Sequence, residues 1–182
     1  KFASERIADF YNHCDEVWAV SENAGETLKE YGYKGKYIVM PNGTNMRVLD
    51  LDVEEATYRK YGIRKDIPVF LYVGQINWKK NLKRVLEGCA LFKQNGHDFQ
   101  LIFAGKGPDE GAVRRTAEKL GLSDNLIMTG HLNDMRVLDA LYHIADLLLF
   151  VSLYDTAGLV VQEAACMGTI ALIAEGASAA EI

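Results

Sequence analysis

The sequence predicts an α/β protein, a parallel sheet with helices on both faces, from three observations. From Pro68 onward, short apolar runs at 69–73, 101–104, 126–129, 147–151 and 170–173 alternate with segments of helical periodicity. Glycine-containing loops (Gly74; Gly105-Lys106-Gly107-Pro108; Gly130-His131-Leu132) close three of those runs before the next helix begins. Residues 146–174, DLLLFVSLYDTAGLVVQEAACMGTIALIA, read as strand, loop, helix and strand, one βαβ unit. Its loop falls at the carboxyl end of a strand, where open parallel sheets take ligands.

Residues 2–13 carry Ile7, Phe10 and Tyr11 at helical spacing and predict an amphipathic helix. Residues 17–20 (Val-Trp-Ala-Val) read as a buried strand, followed by a helix capped by Ser21 and ending near Tyr31-Gly32. Residues 37–40 form a further strand, stopped by Pro41-Asn42-Gly43, and the stretch to Leu51 is the best linker candidate. Asp52 with Glu55 reads as a capping box for a helix to Tyr61. Asp50-Leu51-Asp52 also spells D-x-D, a metal-binding signature, but it precedes a helix cap rather than ending a strand and is read as a decoy. Leu82, Val85, Leu86, Cys89 and Phe92 give a helix closed at Asn95-Gly96. Asp109 opens another helix, ending at Leu120-Gly121, and Leu138, Leu141 and Ala145 mark the next. Residues 158–167 complete the set, stopped by Gly168.

At 182 residues the chain can bury a sizeable core, and 49% apolar with 25% charged residues is ordinary for a globular protein. The net charge of −5 argues against broad nucleic-acid binding. Cys14, Cys89 and Cys166 sit far apart in helical patterns, so free core thiols in a reducing, cytoplasmic compartment are expected. No apolar run approaches a membrane span, no signal peptide is read, and both ends look cut from a longer protein. The four histidines form no ligand spacing, and no metal site is assigned.

Two features of the βαβ unit need a chemical reason. Glu163 is the only charged side chain between Thr156 and Ala174, on a helix otherwise of Leu, Val, Ala, Cys and Met with one Gln. A carboxylate there needs a partner or a place at a cleft edge, since leaving it buried and unpaired costs several kcal/mol. The helix start, Asp155-Thr156-Ala157-Gly158-Leu159, has small residues where free amides would face a ligand, which makes it a ready anion site. A buried crossover helix, with Asp155 as cap and Glu163 bonded to a neighbouring loop, accounts for the same residues. Lys79-Lys80-Asn81, with Lys83 and Arg84 a turn on, oppose the dipole of the helix they start by about 0.3–1 kcal/mol each. A bound polyanion would remove that conflict; a solvated basic face is the plainer alternative. Gly105-Lys106-Gly107 is a weak dinucleotide fingerprint, with its third glycine one place late, and is read as a tight loop that admits a nucleotide.

In order, these parts resemble the retaining GT-B glycosyltransferases of family four, the glycosyl transferases group 1. Asp155 and Glu163, with seven residues between them that include Gly158-Leu159, resemble the family's E-x7-E signature. Residues 74–81 resemble its G-R-L-x-x-x-K-[GN] segment and residues 104–108 its G-x-G-P loop. Thr129-Gly130-His131-Leu132 and Ala145-Asp146-Leu147 fall where it has F-x-G and A-D-L. The resemblance implies a Rossmann-like C-terminal donor-binding domain over 48–182, and over 1–47 the end of the N-terminal domain with the linker. It implies that Lys80 meets the donor diphosphate, that amides near Thr156, Ala157, Gly158 and Leu159 bind phosphate oxygens, that Asp155 holds a sugar hydroxyl, and that Glu163 accepts the ribose hydroxyls. Lys80, Asp155 and Glu163 are the implied catalytic set. Gly74 and Gln75 belong to the same donor site, and Gly105, Gly107, His131 and Leu132 to the ribose and base. The sequence departs from the family at Gln75 (arginine there), Asp155 (glutamate) and Val151 (proline).

The implied activity is metal-independent, retaining transfer of a hexosyl group from a UDP- or GDP-linked donor, with no other cofactor, to a polysaccharide, oligosaccharide or lipid acceptor. This segment alone is expected to be inactive, and membrane contact is expected to be peripheral, through the N-terminal domain. Gln75 and Asp155 keep a second reading open: a nucleotide-sugar-binding regulatory or partner subunit without transfer activity.

Overall fold

The structure is a computed structural model and describes every residue except Lys1, Tyr154, Thr156 and Ile182. Helices α1 (Phe2–Tyr11) and α2 (Glu22–Glu30) flank two short strands, β1 (Trp18–Ala19) and β2 (Ile38–Val39), which pair in parallel. Ala8, Val17 and Tyr33 form the small core of this unit. Ser21 caps α2 as expected, its hydroxyl accepting from Ala24 N–H at 3.1 Å. The apolar face predicted for α1 is corrected: Ile7 and Phe10 are exposed, while Ala8 is buried and Tyr11 packs beside it. Trp18 is likewise exposed, because strand alternation turns it away from the face that buries Val17 and Ala19.

Residues 40–50 run without regular structure to α3 (Leu51–Tyr61). The cap of α3 is Asp50, whose carboxylate accepts from Val53 N–H at 3.2 Å, two residues before the predicted capping box. The D-x-D triplet is therefore part of a helix start, with its first carboxylate engaged by backbone.

The main sheet contains β3 (Val69–Val73), β4 (Gln100–Ala104), β5 (Leu126–Gly130), β6 (Leu147–Phe150) and β7 (Ala171–Ile173), in the order β5-β4-β3-β6-β7 and parallel throughout. Side chains alternate between its faces. Leu71, Ile102 and Leu148 pack under α6 (Met135–Ile144), α7 (Leu159–Cys166) and α3. Tyr72, Leu101, Phe103 and Leu149 pack under α4 (Leu82–Gln94) and α5 (Glu110–Lys119). Each predicted strand from 69 onward is present within a residue or two, and the fold is Rossmann-like. β7 lies at an edge with Ile170 and Leu172 exposed, so the last apolar run is only partly buried.

The thiols differ from expectation. Cys89 is buried in the core, Cys166 is partly exposed and Cys14 is exposed. Burial pushes the Cys89 thiol up to about 12, so at pH 8 it carries almost no thiolate, the reactive form. A chromogenic disulfide at pH 8 should therefore label Cys14 first and Cys89 only on unfolding; equal rates for these two would contradict the packing. Asp50→Ala should cost about 1 kcal/mol, the worth of an N-cap, or roughly 2–4 °C in Tm. Asp52→Ala should cost less in the same melt, and the reverse ranking would restore the predicted cap.

Candidate functional site

β3 is bonded to β4 on one side and to β6 on the other, so the strand order reverses there. The helix after β3 covers one face and the helix after β6 covers the other. Their loops diverge, and a crevice opens at the carboxyl ends of the strands.

The loop after β3 is held by the loop after β4. Gly74 N–H donates to Ala104 O at 3.0 Å, and Ile76 N–H to Lys106 O at 3.0 Å. Asp109 accepts from Trp78 N–H at 2.9 Å. The approach is so close that a Cβ on Gly105 would lie 1.9 Å from Gly74 O, and one on Gly107 would lie 2.1 Å from Ile76 O. Gly105 also has φ +146°, so the glycines serve first to let two loops meet. The buried Tyr72 hydroxyl donates to Gln75 O at 2.9 Å and fixes the turn from beneath. Burial, then the Asp155 charge, push the Tyr72 pKa up and keep that hydroxyl a donor.

Two adjoining cavities share the Val73-Gly74-Gln75 wall. The first, about 380 Å³, lies between that turn, Gly105-Lys106 and His131-Leu132. The second, about 360 Å³, is bounded by Lys80, Asp155, Ala157, Gly158 and Leu159, with Asn42 at its wall.

Lys80 projects from a 3-10 turn, Trp78–Lys80, rather than from the start of α4 as the sequence suggested. Asn81 ends that turn at φ 61° and donates from Nδ2 to Val151 O at 3.2 Å, tying the lysine turn to the end of β6. Lys83 and Arg84 are exposed and face Glu87, as a solvated basic face would. Lys80 Nζ pairs with Asp155 Oδ1, both side chains about a quarter exposed. The second oxygen, Asp155 Oδ2, is buried and has no hydrogen-bond partner among the described residues. Such an atom costs about 1–3 kcal/mol until something donates to it.

Gly158, φ 55°, is the N-cap of α7 and offers no side-chain cap, and it lines the second cavity with the first residues of the helix. Asp155 is therefore not its cap. The positive end of the helix dipole faces the space beside Lys80.

Glu163 lies one turn further along α7. Its Oε1 accepts from Arg47 Nη2 at 2.9 Å and its Oε2 from the Tyr142 hydroxyl at 2.8 Å. Arg47 Nη1 also donates to Asp139 Oδ1 at 2.7 Å. The need for a partner is thus met inside the protein, from α6 and the 40–50 segment. Burial raises the Tyr142 pKa, as does the neighbouring Glu163 carboxylate, and the Asp139 hydrogen bond raises that of Arg47. Removing Arg47 would leave Asp139 buried without a counter-ion, at about 3–5 kcal/mol.

Of the residues singled out in the sequence, Gly74, Gln75, Gly105, His131 and Leu132 line the first cavity. Gly74 and Gln75 recur in the second, with Lys80, Asp155, Ala157, Gly158 and Leu159. Gly107 lines neither; it packs on Ile76 and donates its N–H to Glu110. Thr156 lies outside the described residues, and Glu163 is in neither lining. Sequence reasoning missed Arg47, Asp139 and Tyr142. Asp139 carried a usable signal, a lone carboxylate between Leu138 and Ala140-Leu141, whereas Arg47 lies in an aperiodic stretch that gives none. No cluster of three or more His, Cys, Asp or Glu side chains able to hold a metal occurs among the described residues, and no described helix is long and apolar enough to cross a membrane.

Known proteins resemble the chain in sequence and in fold. The chain is 27% identical over 90% of its length to alpha-monoglucosyldiacylglycerol synthase of Streptococcus pneumoniae, covering 38% of that protein. It is 24% identical over 99% of its length to a GDP-mannose-dependent alpha-(1-6)-phosphatidylinositol dimannoside mannosyltransferase of Mycobacterium tuberculosis, covering 47% of it. The crystal structure of Anabaena HepE in complex with UDP and glucose shares the fold at a TM-score of 0.83 and 18% identity, over 97% of this chain and 49% of that one. The chain thus spans less than half the length of these relatives. The family described as Glycosyl transferases group 1 matches residues 53–182, the whole main sheet with its loops, and the chain belongs to that family.

Proposed function

We propose that the chain is the donor-binding part of a nucleotide-sugar glycosyltransferase, with residues 48–182 as the donor domain and 1–47 as the end of an N-terminal domain and the linker. The observation that carries this reading is the unsatisfied Asp155 Oδ2 beside Lys80 and the uncapped start of α7. Asp155, Lys80 and the uncapped helix start border one cavity, and a glycosyl diphosphate supplies a partner for each. A sugar hydroxyl donates to Asp155, and the diphosphate takes Lys80 and the amides at Gly158 and Leu159. The ribose turns its hydroxyls toward Glu163, and the base fills the first cavity by His131-Leu132.

In the transfer step the bond between the anomeric carbon and the diphosphate oxygen breaks. A bond to the acceptor hydroxyl oxygen forms, and the proton of that hydroxyl passes to the departing diphosphate oxygen. The main electrostatic demand is the charge on the departing diphosphate, which fixed amides and Lys80 stabilise without reorganising. The reading includes retention of anomeric configuration, a hexosyl group on UDP or GDP, and no metal. UDP with glucose in the HepE structure and the GDP-mannose dependence of the mycobacterial relative support either nucleotide. The acceptor, a glycan or a glycolipid, would meet the donor across a cleft whose other wall belongs to the N-terminal domain. Gln75, neutral where the family carries arginine, favours the second reading of a binding subunit without transfer; turnover by the full-length protein with any donor and acceptor pair excludes it.

Lys80→Ala should remove a charge-assisted contact of about 1.5–3 kcal/mol, a roughly ten- to hundredfold loss in nucleotide-sugar affinity by calorimetry. Unchanged affinity would remove the phosphate role. Glu163→Gln should weaken UDP or GDP more than pyrophosphate, and equal losses would argue against the ribose assignment.

A further inference from the structure

The carboxylate assigned to the ribose is held by a residue from outside the sheet. Arg47 belongs to the irregular 40–50 segment, and that segment lies along α7 at three places. Gln162 Nε2 donates to Asn42 O at 2.9 Å, Cys166 Sγ lies 4.0 Å from Met46 Sδ, and Arg47 reaches Glu163. Asn42 itself stands at the wall of the second cavity.

We propose that Arg47 is a positioning residue of the donor site: with Tyr142 it clamps the Glu163 carboxylate in the orientation that accepts a ribose diol. The inference rests on the assignment of Glu163 to the ribose. Each Glu163 oxygen takes one protein hydrogen bond, Oε1 from Arg47 and Oε2 from Tyr142. Each therefore keeps capacity for a second, which matches two neighbouring hydroxyl donors. The clamp is braced in turn, since Asp139, a buried residue, holds the other arm of the guanidinium at 2.7 Å. Two carboxylates share one guanidinium, so Glu163 has only one arm of the fork and keeps room for a further donor. A planar fork that serves two carboxylates at once is a task for arginine, which a lysine ammonium does less well. Because Arg47 lies in the linker, the geometry of the ribose acceptor depends on how that segment sits against α7.

The test separates clamping from simple bracing of the fold. Calorimetry on the chain would use UDP, GDP, their 2′-deoxy counterparts and inorganic pyrophosphate. The variants are Glu163→Gln, Arg47→Ala, these two combined, and Arg47→Ala and Arg47→Lys each combined with Asp139→Asn, so that the buried Asp139 carboxylate does not lose its counter-ion if the single Arg47 variant fails to fold. Arg47→Ala should weaken ribonucleotide binding by about tenfold or more, near 1.4 kcal/mol, leave pyrophosphate binding unchanged and erase the preference over the 2′-deoxy nucleotide. Arg47→Lys beside Asp139→Asn should restore part of that preference, since only Glu163 then needs a cation. Joined to Glu163→Gln, Arg47→Ala should add no further loss, as expected of residues acting through one contact. If Glu163→Gln loses the preference while the Arg47 variants keep it, or if they lose pyrophosphate binding equally, the clamp is overturned and the ribose assignment stands. If Glu163→Gln keeps the preference, or the unmodified chain has none, the ribose assignment fails and the clamp with it.

Discussion

The parallel pairing of β3 with both β4 and β6 is the constraint on which the rest of the molecule depends. It places the reversal of strand order at Leu71 and its neighbours and sends α4 and α7 to opposite faces. The crevice between their loops is therefore a consequence of topology, present before any particular side chain is chosen. The side chains then give it character. Two glycines let the loops after β3 and β4 meet backbone to backbone, and Tyr72 pins the Gln75 carbonyl from below. The result is one rigid wall shared by two cavities.

The electrostatics of that crevice are unfinished in one place and complete in another. Lys80 and Asp155 neutralise each other, yet one carboxylate oxygen is left buried and unmet, next to a helix start with no side-chain cap. A ligand bearing both hydroxyls and anionic oxygens completes this set better than an ion alone, since an anion would satisfy Lys80 and repel Asp155. One turn along α7, by contrast, Arg47, Asp139, Tyr142 and Glu163 satisfy one another. A carboxylate held at both oxygens does not wander, and its spare lone pairs point in fixed directions. Fixed acceptors discriminate between hydroxyl patterns, which suits recognition more than raw affinity.

The strands of the main sheet were legible because each is a short apolar run, three of them closed by glycine loops, and because the near-complete burial of β3 and β4 leaves little else for such runs to be. Boundaries failed where local chemistry offered two answers. Asp50 and Asp52 both precede the same helix, and only the backbone decides which carboxylate reaches Val53 N–H. Ile7, Phe10 and Trp18 were misjudged because hydrophobicity says that a side chain gains from burial, not that a neighbour exists to bury it. At the site, the resemblance to the family is what grouped Lys80, Asp155 and Gly158. The pairing of Arg47 with Glu163 spans 116 positions between an aperiodic segment and a helix, and no periodicity in one sequence encodes it.

The central claim is that a sugar nucleotide lies across the wall shared by the two cavities. Titrating the isotopically labelled chain with UDP-glucose and GDP-mannose, while following its backbone amide resonances, tests this most directly. The account predicts that at least one donor moves the amides of Gly74, Gln75, Gly105 and Gly158 through Val160 most strongly, with saturation at a single affinity. Largest shifts in the apolar hollow between Phe70, Phe92 and Leu172, or no saturable shift with either donor, would contradict it.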